Sequence, residues 1–258
     1  MNRAPINIIK SLVATDIVRM NGRNFSVNKH DYWFFFNLGI WGADAVKFYR
    51  NNIKADSKVL DIGAHFGSTA IYAHSLGAKS VHCIEAALSN FEILCHNIKR
   101  NVLDEKIIAD NFALYAETGK LVNIGYRDER HKTECTKTFS DSGEQVQTIT
   151  LEDYLTTRGV PDIIKIDIEG AEQYIGAGLE LLSQFPMIKI LLSMHTPFFD
   201  NKEDVANKLI PIFEKFRIID EENKNFDIDA LYREMTADCR CNWSGLRGKF
   251  FNIILQSR

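Results

Sequence analysis

Short apolar runs alternate with amphipathic segments along most of the chain, between about residues 58 and 220. Apolar, β-branched runs bounded by glycine, proline or charged residues predict strands, and apolar residues at spacings of three and four predict helices. The predicted strands cover residues 58–62, 81–84, 106–110, 163–168, 187–194, 217–219 and 250–255. The predicted helices cover residues 68–76, 89–100, 151–157, 171–182 and 202–215.

Two helix starts carry sequence signals of their own. Ser89 and Glu92 have the S-x-x-E spacing of a capping box, and Phe91, Leu94 and Ile98 form an apolar face behind it. Thr150 precedes the helix predicted over 151–157. Inside the helix predicted over 202–215, Pro211 should cause a kink or a break.

The rhythm of strand, helix, strand predicts an α/β fold with a doubly wound, mostly parallel sheet. Residues 1–57 differ because they contain an aromatic cluster that includes Trp33–Phe36, Trp41 and Phe48-Tyr49. No linker rich in proline, glycine or serine separates this segment from the rest. We therefore expect an N-terminal helical and aromatic cap over residues 1–57, packed on a main domain of residues 58–258.

Composition narrows the possible classes of protein. The 258 residues are 45% hydrophobic and 25% charged, with 31 Lys and Arg against 34 Asp and Glu, so the net charge is −3. These values are typical of a globular protein and argue against a dedicated nucleic-acid binder, which needs a basic surface. The 5 cysteines are scattered and odd in number, which favours a reducing compartment. With no predicted membrane span or signal peptide, we expect a cytoplasmic protein.

The first predicted strand runs into a glycine-containing loop, Asp61-Ile-Gly-Ala-His-Phe-Gly67. Gly63 allows a tight turn and Gly67 allows close packing of strand and helix. His65 occupies the place of the second glycine of the dinucleotide fingerprint, so a pyrophosphate is disfavoured. Glu85 ends the second strand, where a carboxylate can accept the ribose hydroxyls of a nucleoside.

Charged residues interrupt the strand predicted over 163–168. Lys165, Asp167 and Glu169 alternate, which places them on one face if the strand continues that far. His195 ends the next predicted strand, so Asp167 and His195 should lie together at one edge of the sheet. Two uses compete for this set: His195 as a general base, with Asp167 orienting it or accepting the proton, or a divalent cation held by Asp167, Glu169 and His195. The sequence favours the base and predicts no metal.

Four stretches resemble the FkbM family of class I S-adenosylmethionine-dependent methyltransferases: residues 59–67, 111–114, 146–155 and 161–172. The resemblance covers about residues 40–200 and implies a seven-stranded sheet whose last strand is antiparallel. It further implies transfer of a methyl group from S-adenosylmethionine to a hydroxyl, often on a sugar or a small metabolite.

The resemblance also assigns residues. Asp61, Gly63 and Gly67 should surround the methionine part of the cofactor, Glu85 should hold the ribose, and Ala86 should flank the adenine. The full set of expected cofactor-binding residues is Asp61, Gly63, Ala64, His65, Gly67, Glu85, Ala86, Asn111, Phe112 and Asp167. His65 departs from the small polar residue usual in the family.

Several alternatives stay open at this point. An NAD-dependent oxidoreductase could use a similar sheet, although the missing glycine argues against it, and a non-catalytic cofactor-binding module is a third class. A nucleic-acid methyltransferase is disfavoured because the Asn-Pro-Pro-aromatic tetrad is absent. Three smaller questions are open. A zinc site could form from His131, Cys135, Cys239 and Cys241. Residues 30–36 could form a carbohydrate-stacking surface, and residues 127–132 could form a lid over the substrate. The sequence carries no motif that identifies the methyl acceptor or the oligomeric state.

Overall fold

A computed structural model describes residues 7–9, 15–28, 43–126, 136–138, 143–220, 222, 224–240 and 247–258. Its strands are β1 (Asn7–Ile9), β2 (Thr15–Met20), β3 (Arg23–Asn28), β4 (Lys58–Ile62), β5 (Ser80–Ile84), β6 (Ile107–Asp110), β7 (Ala113–Leu114), β8 (Leu121–Tyr126), β9 (Thr136–Thr138), β10 (Glu144–Ile149), β11 (Ile163–Ile166), β12 (Lys189–His195), β13 (Phe216–Ile219) and β14 (Phe250–Ser257). Its α-helices are α1 (Ala43–Asn52), α2 (Ser68–Ser75), α3 (Leu88–Arg100), α4 (Leu151–Arg158), α5 (Gly176–Leu182), α6 (Lys202–Phe213) and α7 (Ile228–Thr236).

The central sheet has seven strands in the order β13-β14-β12-β11-β4-β5-β6. All neighbours from β12 to β6 are parallel, and β14 pairs antiparallel with both β12 and β13. Ile163 to Ile166 are buried on both faces of the sheet, as a central parallel strand requires. The predicted α/β fold is confirmed, and the carboxyl ends of β4, β5, β11 and β12 meet at one edge.

The N-terminal segment contains strands that the sequence analysis did not predict. β1, β2 and β3 form an antiparallel sheet, and the buried side chains of β2 and β3 share one hydrophobic cluster with α1 and α2. Hydrogen bonds from Asn21 to Ser75 and between Ser26 and Asn101 tie this sheet to the main domain. The aromatic residues at 30–36 and Trp41 lie outside the described residues.

Most predicted boundaries agree with the structure to within two residues, but the capping box does not form. Helix α3 begins at Leu88, so Ser89 lies inside the helix. The N-cap residue is Ala87, whose side chain makes no capping hydrogen bond. Instead, Glu144 of β10 accepts a hydrogen bond from the backbone N–H of Leu88. Helix α4 does have its predicted cap, because the Thr150 side chain accepts from the backbone N–H of Asp153.

Three further elements differ from the sequence expectations. The helix predicted over 171–182 is split into a 3₁₀ turn, Ala171–Tyr174, and α5. Pro211 lies within α6 and does not end it. Helix α7 lies in a region for which no element was predicted. Among the described residues, no helix combines the length and apolarity that crossing a membrane would require.

Candidate active site

The loop after β4 is held by close backbone contacts. Gly63 has φ +75°, and a Cβ at this position would lie 1.8 Å from the carbonyl oxygen of Asp167. Gly67 has φ +85°, and its Cβ would lie 2.5 Å from a methyl carbon of Leu94 in α3. Ala64, buried between them, donates from its backbone N–H to Ile84 at 3.1 Å. Glycine is therefore required at 63 for the loop to approach β11.

Glu85, at the end of β5, points into this loop. Its Oε2 accepts from the backbone N–H of His65 at 2.8 Å, and its Oε1 accepts from Ala87 at 3.0 Å and from the Asn90 side chain at 3.4 Å. Burial raises the pKa of Glu85, and the two backbone hydrogen bonds oppose that shift. A carboxylate can accept about four hydrogen bonds, so one acceptor position is left for a ligand, or more if the long bond from Asn90 gives way.

Residues after β5 and β6 brace each other beside Glu85. The Asn111 side chain donates to the backbone carbonyls of Glu85 and Ala86, at 2.8 and 2.9 Å. Phe112 is half-buried against the main hydrophobic cluster. Asn111 thus fixes the chain at Ala86, while the Phe112 ring contributes to packing.

Lys165, in the neighbouring strand β11, contacts the loop after β4 and two carboxylates. Its buried Nζ lies 3.2 Å from the carbonyl oxygen of Gly63, 3.3 Å from Oδ1 of Asp61 and 3.5 Å from Oδ2 of Asp167. Burial alone would lower the pKa of Lys165, but the two carboxylates raise it, so the lysine is charged. Asp61 is fully buried and also accepts from Thr69 at 2.6 Å.

His195 is held from one side by Glu172. Its Nδ1 lies 2.8 Å from Oε1 of Glu172, whose side chain is fully buried. Backbone N–H groups of Ile168 and Gly170 donate to the same carboxylate, at 3.2 and 2.9 Å. Three hydrogen bonds therefore fix Glu172, and Glu172 fixes the orientation of the imidazole.

The other nitrogen of His195 faces two more carboxylates. Nε2 lies 3.4 Å from Oδ1 of Asp167 and 3.8 Å from Oε2 of Glu169. The ligand atoms of Asp167, Glu169 and His195 all lie within 4.8 Å of one another. The predicted meeting of Asp167 and His195 is confirmed by this geometry.

Glu169 lies in a turn after β11, and not on the strand as the alternating pattern predicts. Strand β11 ends at Ile166, and Glu169 has φ +52°, in the left-handed region. The turn formed there, rather than a continued strand, brings the Glu169 carboxylate to His195. The prediction of one continuous face holds for Lys165 and Asp167 alone.

The ionisation of these groups is strongly coupled. Burial raises the pKa of Glu169 to about 7. Burial opposes charge on His195 too, but Glu169, Glu172 and Asp167 raise its pKa to about 10. In the protein without a ligand, the imidazole therefore carries a proton at neutral pH, and it can act as a base only after a bound ligand displaces that proton.

Aromatic rings form a wall beside His195. The ring centroid of Phe198 lies 6.3 Å from that of His195 in a stacked arrangement, and Phe250 meets the imidazole edge-on at 5.6 Å. Both phenyl rings are half-buried. The catalytic edge thus combines charged groups with an apolar surface.

Glu172 is the functional residue that sequence reasoning missed. It shares a helical spacing of i, i+3 and i+7 with the buried residues Ile175 and Leu179. A charged residue on an apolar helix face needs a partner, and that requirement was the available signal. The other secondary sites stay untested: Cys239 is free and exposed, while His131, Cys135, Cys241 and the charged run 127–132 lie outside the described residues.

The charges at this edge match S-adenosylmethionine better than a dinucleotide. The carboxylates of Asp61, Glu85 and Asp167 lie around the loop, with the ammonium of Lys165 among them, and Glu169 adds a carboxylate beside the protonated His195. A pyrophosphate would be repelled there, whereas a sulfonium cation would be attracted. The unused acceptor position on Glu85 suits a ribose hydroxyl. The residues present therefore fit this cofactor.

A doubly wound sheet with one antiparallel strand inserted near its edge, and a glycine loop after β4, the first parallel strand along the chain, defines a class I methyltransferase. The chain belongs to the FkbM methyltransferase family, because the family model described as "Methyltransferase FkbM domain" matches residues 61–228. It is therefore an enzyme that uses S-adenosylmethionine to transfer methyl groups. No curated protein matches the sequence significantly.

Solved structures with a similar fold share little sequence with this chain. An O-methyltransferase from Bacillus cereus, in complex with SAH, is 15% identical with a TM-score of 0.44, and the match covers 82% of this chain and 80% of that one. A precorrin-6y C5,15-methyltransferase from Geobacter metallireducens is 12% identical with a TM-score of 0.42, covering 84% and 88%. A tRNA m1G37 methyltransferase from M. jannaschii is 16% identical with a TM-score of 0.43, covering 96% and 57%.

Proposed function

We propose that this enzyme is an O-methyltransferase that acts on a hydroxyl of a sugar, a glycan or a small metabolite. One observation carries the proposal: Asp167 and His195 face each other 3.4 Å apart at the ends of neighbouring strands, beside the loop that contains Gly63. A hydroxyl acceptor must be held in line with the methyl group and must lose a proton. This pair offers the groups for both tasks.

On this proposal, the loop from Asp61 to Gly67 and the Glu85 carboxylate hold the cofactor. Ala86, Asn111 and Phe112 border the adenine. When bound, S-adenosylmethionine supplies an electrophilic methyl group on its sulfonium sulfur. Lys165 favours the ionised forms of Asp61 and Asp167 beside that positive centre, against the burial that raises the pKa of Asp61, and so serves both halves of the site.

Asp167 is the group most accessible to an acceptor. Its side chain is 38% exposed, and Lys165 engages Oδ2, which leaves Oδ1 to face His195 and the open side of the site. We propose that the acceptor hydroxyl binds between Oδ1 of Asp167 and Nε2 of His195, and that this pair removes the hydroxyl proton once His195 has lost its own proton. Glu172 positions the imidazole for that role.

The aromatic wall supports a sugar-like acceptor. Phe198 and Phe250 flank the imidazole with apolar surface, and aromatic rings suit the apolar faces of sugars. A net charge of −3 disfavours a nucleic-acid acceptor. Because the described cysteines are free, we place the reaction in the cytoplasm, with residues 58–258 as the catalytic domain and 1–57 as its cap.

A methyl-transfer screen tests this function. The full chain is incubated with labelled S-adenosylmethionine and separate pools of glycans, small hydroxyl metabolites and RNA. We expect label only in hydroxyl acceptors of the first two pools, and His195→Ala should abolish most of it while binding of S-adenosylhomocysteine is kept. Label confined to RNA, or unchanged turnover in His195→Ala, would contradict the proposal.

The cofactor assignment has its own test by calorimetry. Glu85→Ala should weaken binding of S-adenosylhomocysteine at least tenfold, since the ribose loses its carboxylate partner and the His65 backbone N–H loses its acceptor. The exposed Glu92→Ala variant in α3 is the matched control. Equal affinities of the two variants would remove the ribose assignment.

A further inference from the structure

The three ligand-bearing side chains at the catalytic edge have the spacing of a cation site. Oδ1 of Asp167 and Oε2 of Glu169 lie 3.4 and 3.8 Å from Nε2 of His195. Nitrogen and oxygen ligands lie about 2.1 Å from a divalent cation, so neighbouring ligands of one ion are about 3 to 3.5 Å apart. All three ligand atoms lie within 4.8 Å of one another, so the set reaches coordination distance by contracting around one ion.

His195 is prepared as a ligand by its second contact. Its side chain is 10% exposed, and among the described residues no hydrogen bond reaches Nε2. Nδ1 is paired with the buried Glu172 at 2.8 Å. When a metal ion replaces the proton on Nε2, the carboxylate at Nδ1 keeps the other proton on that nitrogen, which is the usual arrangement of metal-bound histidines.

The excess of negative charge in the buried cluster also favours binding of a cation. Four carboxylates, those of Asp61, Asp167, Glu169 and Glu172, stand against the single ammonium of Lys165. The protonated His195 offsets one more charge, and once a metal ion replaces that proton the fully ionised cluster carries a charge of −3, counted as four negative charges and one positive. Buried charge without compensation is costly, and a divalent ion would remove most of the excess.

The position between these ligands is open on one side. The side chains of Asp167 and Glu169 are 38% and 25% exposed, so an ion can enter and keep water molecules or a substrate oxygen as further ligands. One imidazole with two carboxylates suits Mn²⁺ or a similar first-row ion better than Ca²⁺, which prefers oxygen ligands alone.

We infer that Asp167, Glu169 and His195 bind a divalent first-row cation, Mn²⁺ in the test below, with Glu172 holding His195 in place. The binding site stands on its own geometry, while its catalytic role rests on the proposed function. In that role the acceptor hydroxyl coordinates to the ion, which makes its proton more acidic, and the proton leaves to water at the open side. His195 then serves as a ligand.

Electron paramagnetic resonance of Mn²⁺ tests the inference on the full chain after treatment with EDTA and dialysis. We expect one ion per chain, seen as loss of the free Mn²⁺ signal, and binding weakened at least tenfold in Glu169→Gln and in Glu172→Gln. Glu203→Gln, on the exposed first turn of α6, should bind as the unsubstituted chain does. Absence of binding at millimolar Mn²⁺, or equal binding in all variants, would overturn the inference.

The two proposals fail in different ways. Binding of S-adenosylhomocysteine to the metal-free chain is measured in parallel, because it depends on the Gly63 loop and Glu85. If that ligand binds and Mn²⁺ does not, the cation site is wrong and the proposed function stands. If Mn²⁺ binds to the unsubstituted chain with the expected variant pattern but neither cofactor binding nor methyl transfer is found, the cation site stands and the proposed function is wrong.

Discussion

Replacing Gly63 with alanine should disrupt the junction between the cofactor loop and the catalytic strand. The new Cβ would lie 1.8 Å from the carbonyl oxygen of Asp167 and 2.8 Å from its carbonyl carbon. Both atoms belong to the backbone, which no change of rotamer can move away. The loop or the end of β11 must therefore shift by more than 1 Å to reach ordinary contact distance, an order-of-magnitude estimate from packing geometry.

The expected loss of stability has two parts. At φ +75° an alanine costs roughly 1–2 kcal/mol more than glycine. Forced displacement in a packed region costs typically about 1–3 kcal/mol more. Since about 1 kcal/mol shifts the Tm of a chain of this size by roughly 2–4 °C, the Tm should fall by about 10 °C.

Gly77→Ala is the matched control. Gly77 also has a left-handed backbone, with φ +98°, but no atom lies within 4 Å of the added Cβ. Only the conformational cost of about 1 kcal/mol applies there, and the Tm should fall by roughly 2–4 °C.

Calorimetric melting and titration with S-adenosylhomocysteine measure both consequences. Because Lys165 donates to the Gly63 carbonyl at 3.2 Å, a displaced loop also disturbs Asp61 and Asp167, and Gly63→Ala should lose most of its cofactor affinity. If Gly63→Ala melts no lower than Gly77→Ala and binds the ligand normally, the close approach of the loop to β11 is refuted.

Three other substitutions probe single features. Lys165→Met leaves Asp61 buried without its cation and should cost about 3–5 kcal/mol, seen as a fall in Tm; an unchanged Tm would contradict the ion pair. Glu172→Gln leaves one acceptor oxygen in place of two, so at least one of the hydrogen bonds from Ile168, Gly170 and His195 is lost and the hold on His195 weakens; kcat should drop roughly 10- to 100-fold with cofactor affinity unchanged. Val102 is exposed with φ +55°, and Val102→Asn should raise the Tm by roughly 2–4 °C; a lower Tm would argue against strain there.

Local patterns were enough to predict the sheet because buried parallel strands have a distinctive composition. The run Ile163–Ile166 is almost entirely β-branched, and β4 ends directly at the glycine loop. Once these strands are neighbours, Asp167 and His195 must meet at their carboxyl ends. Strand adjacency brings the pair to the same end of the sheet, while the turn after Ile166, which the register pairs with Leu192, sets the contact distance.

Contacts that depend on distant segments could not be predicted in this way. The N-cap of α3 is supplied by Glu144, 56 residues away, in place of Ser89. The N-terminal hairpin is a different case, because its signal was local. Asn21-Gly22 turns the chain with φ +49° and +82°, and an Asn-Gly pair between two strand-like runs is a strong hairpin signal.

In the charged cluster, one lysine links residues that the sequence suggests only one by one. Lys165 has three donor hydrogens and three acceptors within 3.5 Å, on Gly63, Asp61 and Asp167. The ammonium thus fixes the cofactor loop and the catalytic carboxylate with one set of contacts. The planar fork of an arginine cannot point at three acceptors that surround a single point, so even this charge-conserving replacement would separate the two halves. Sequence spacing placed Lys165 on the same face as Asp167, but only the folded geometry shows that it joins Asp167 to Asp61 and to the Gly63 loop.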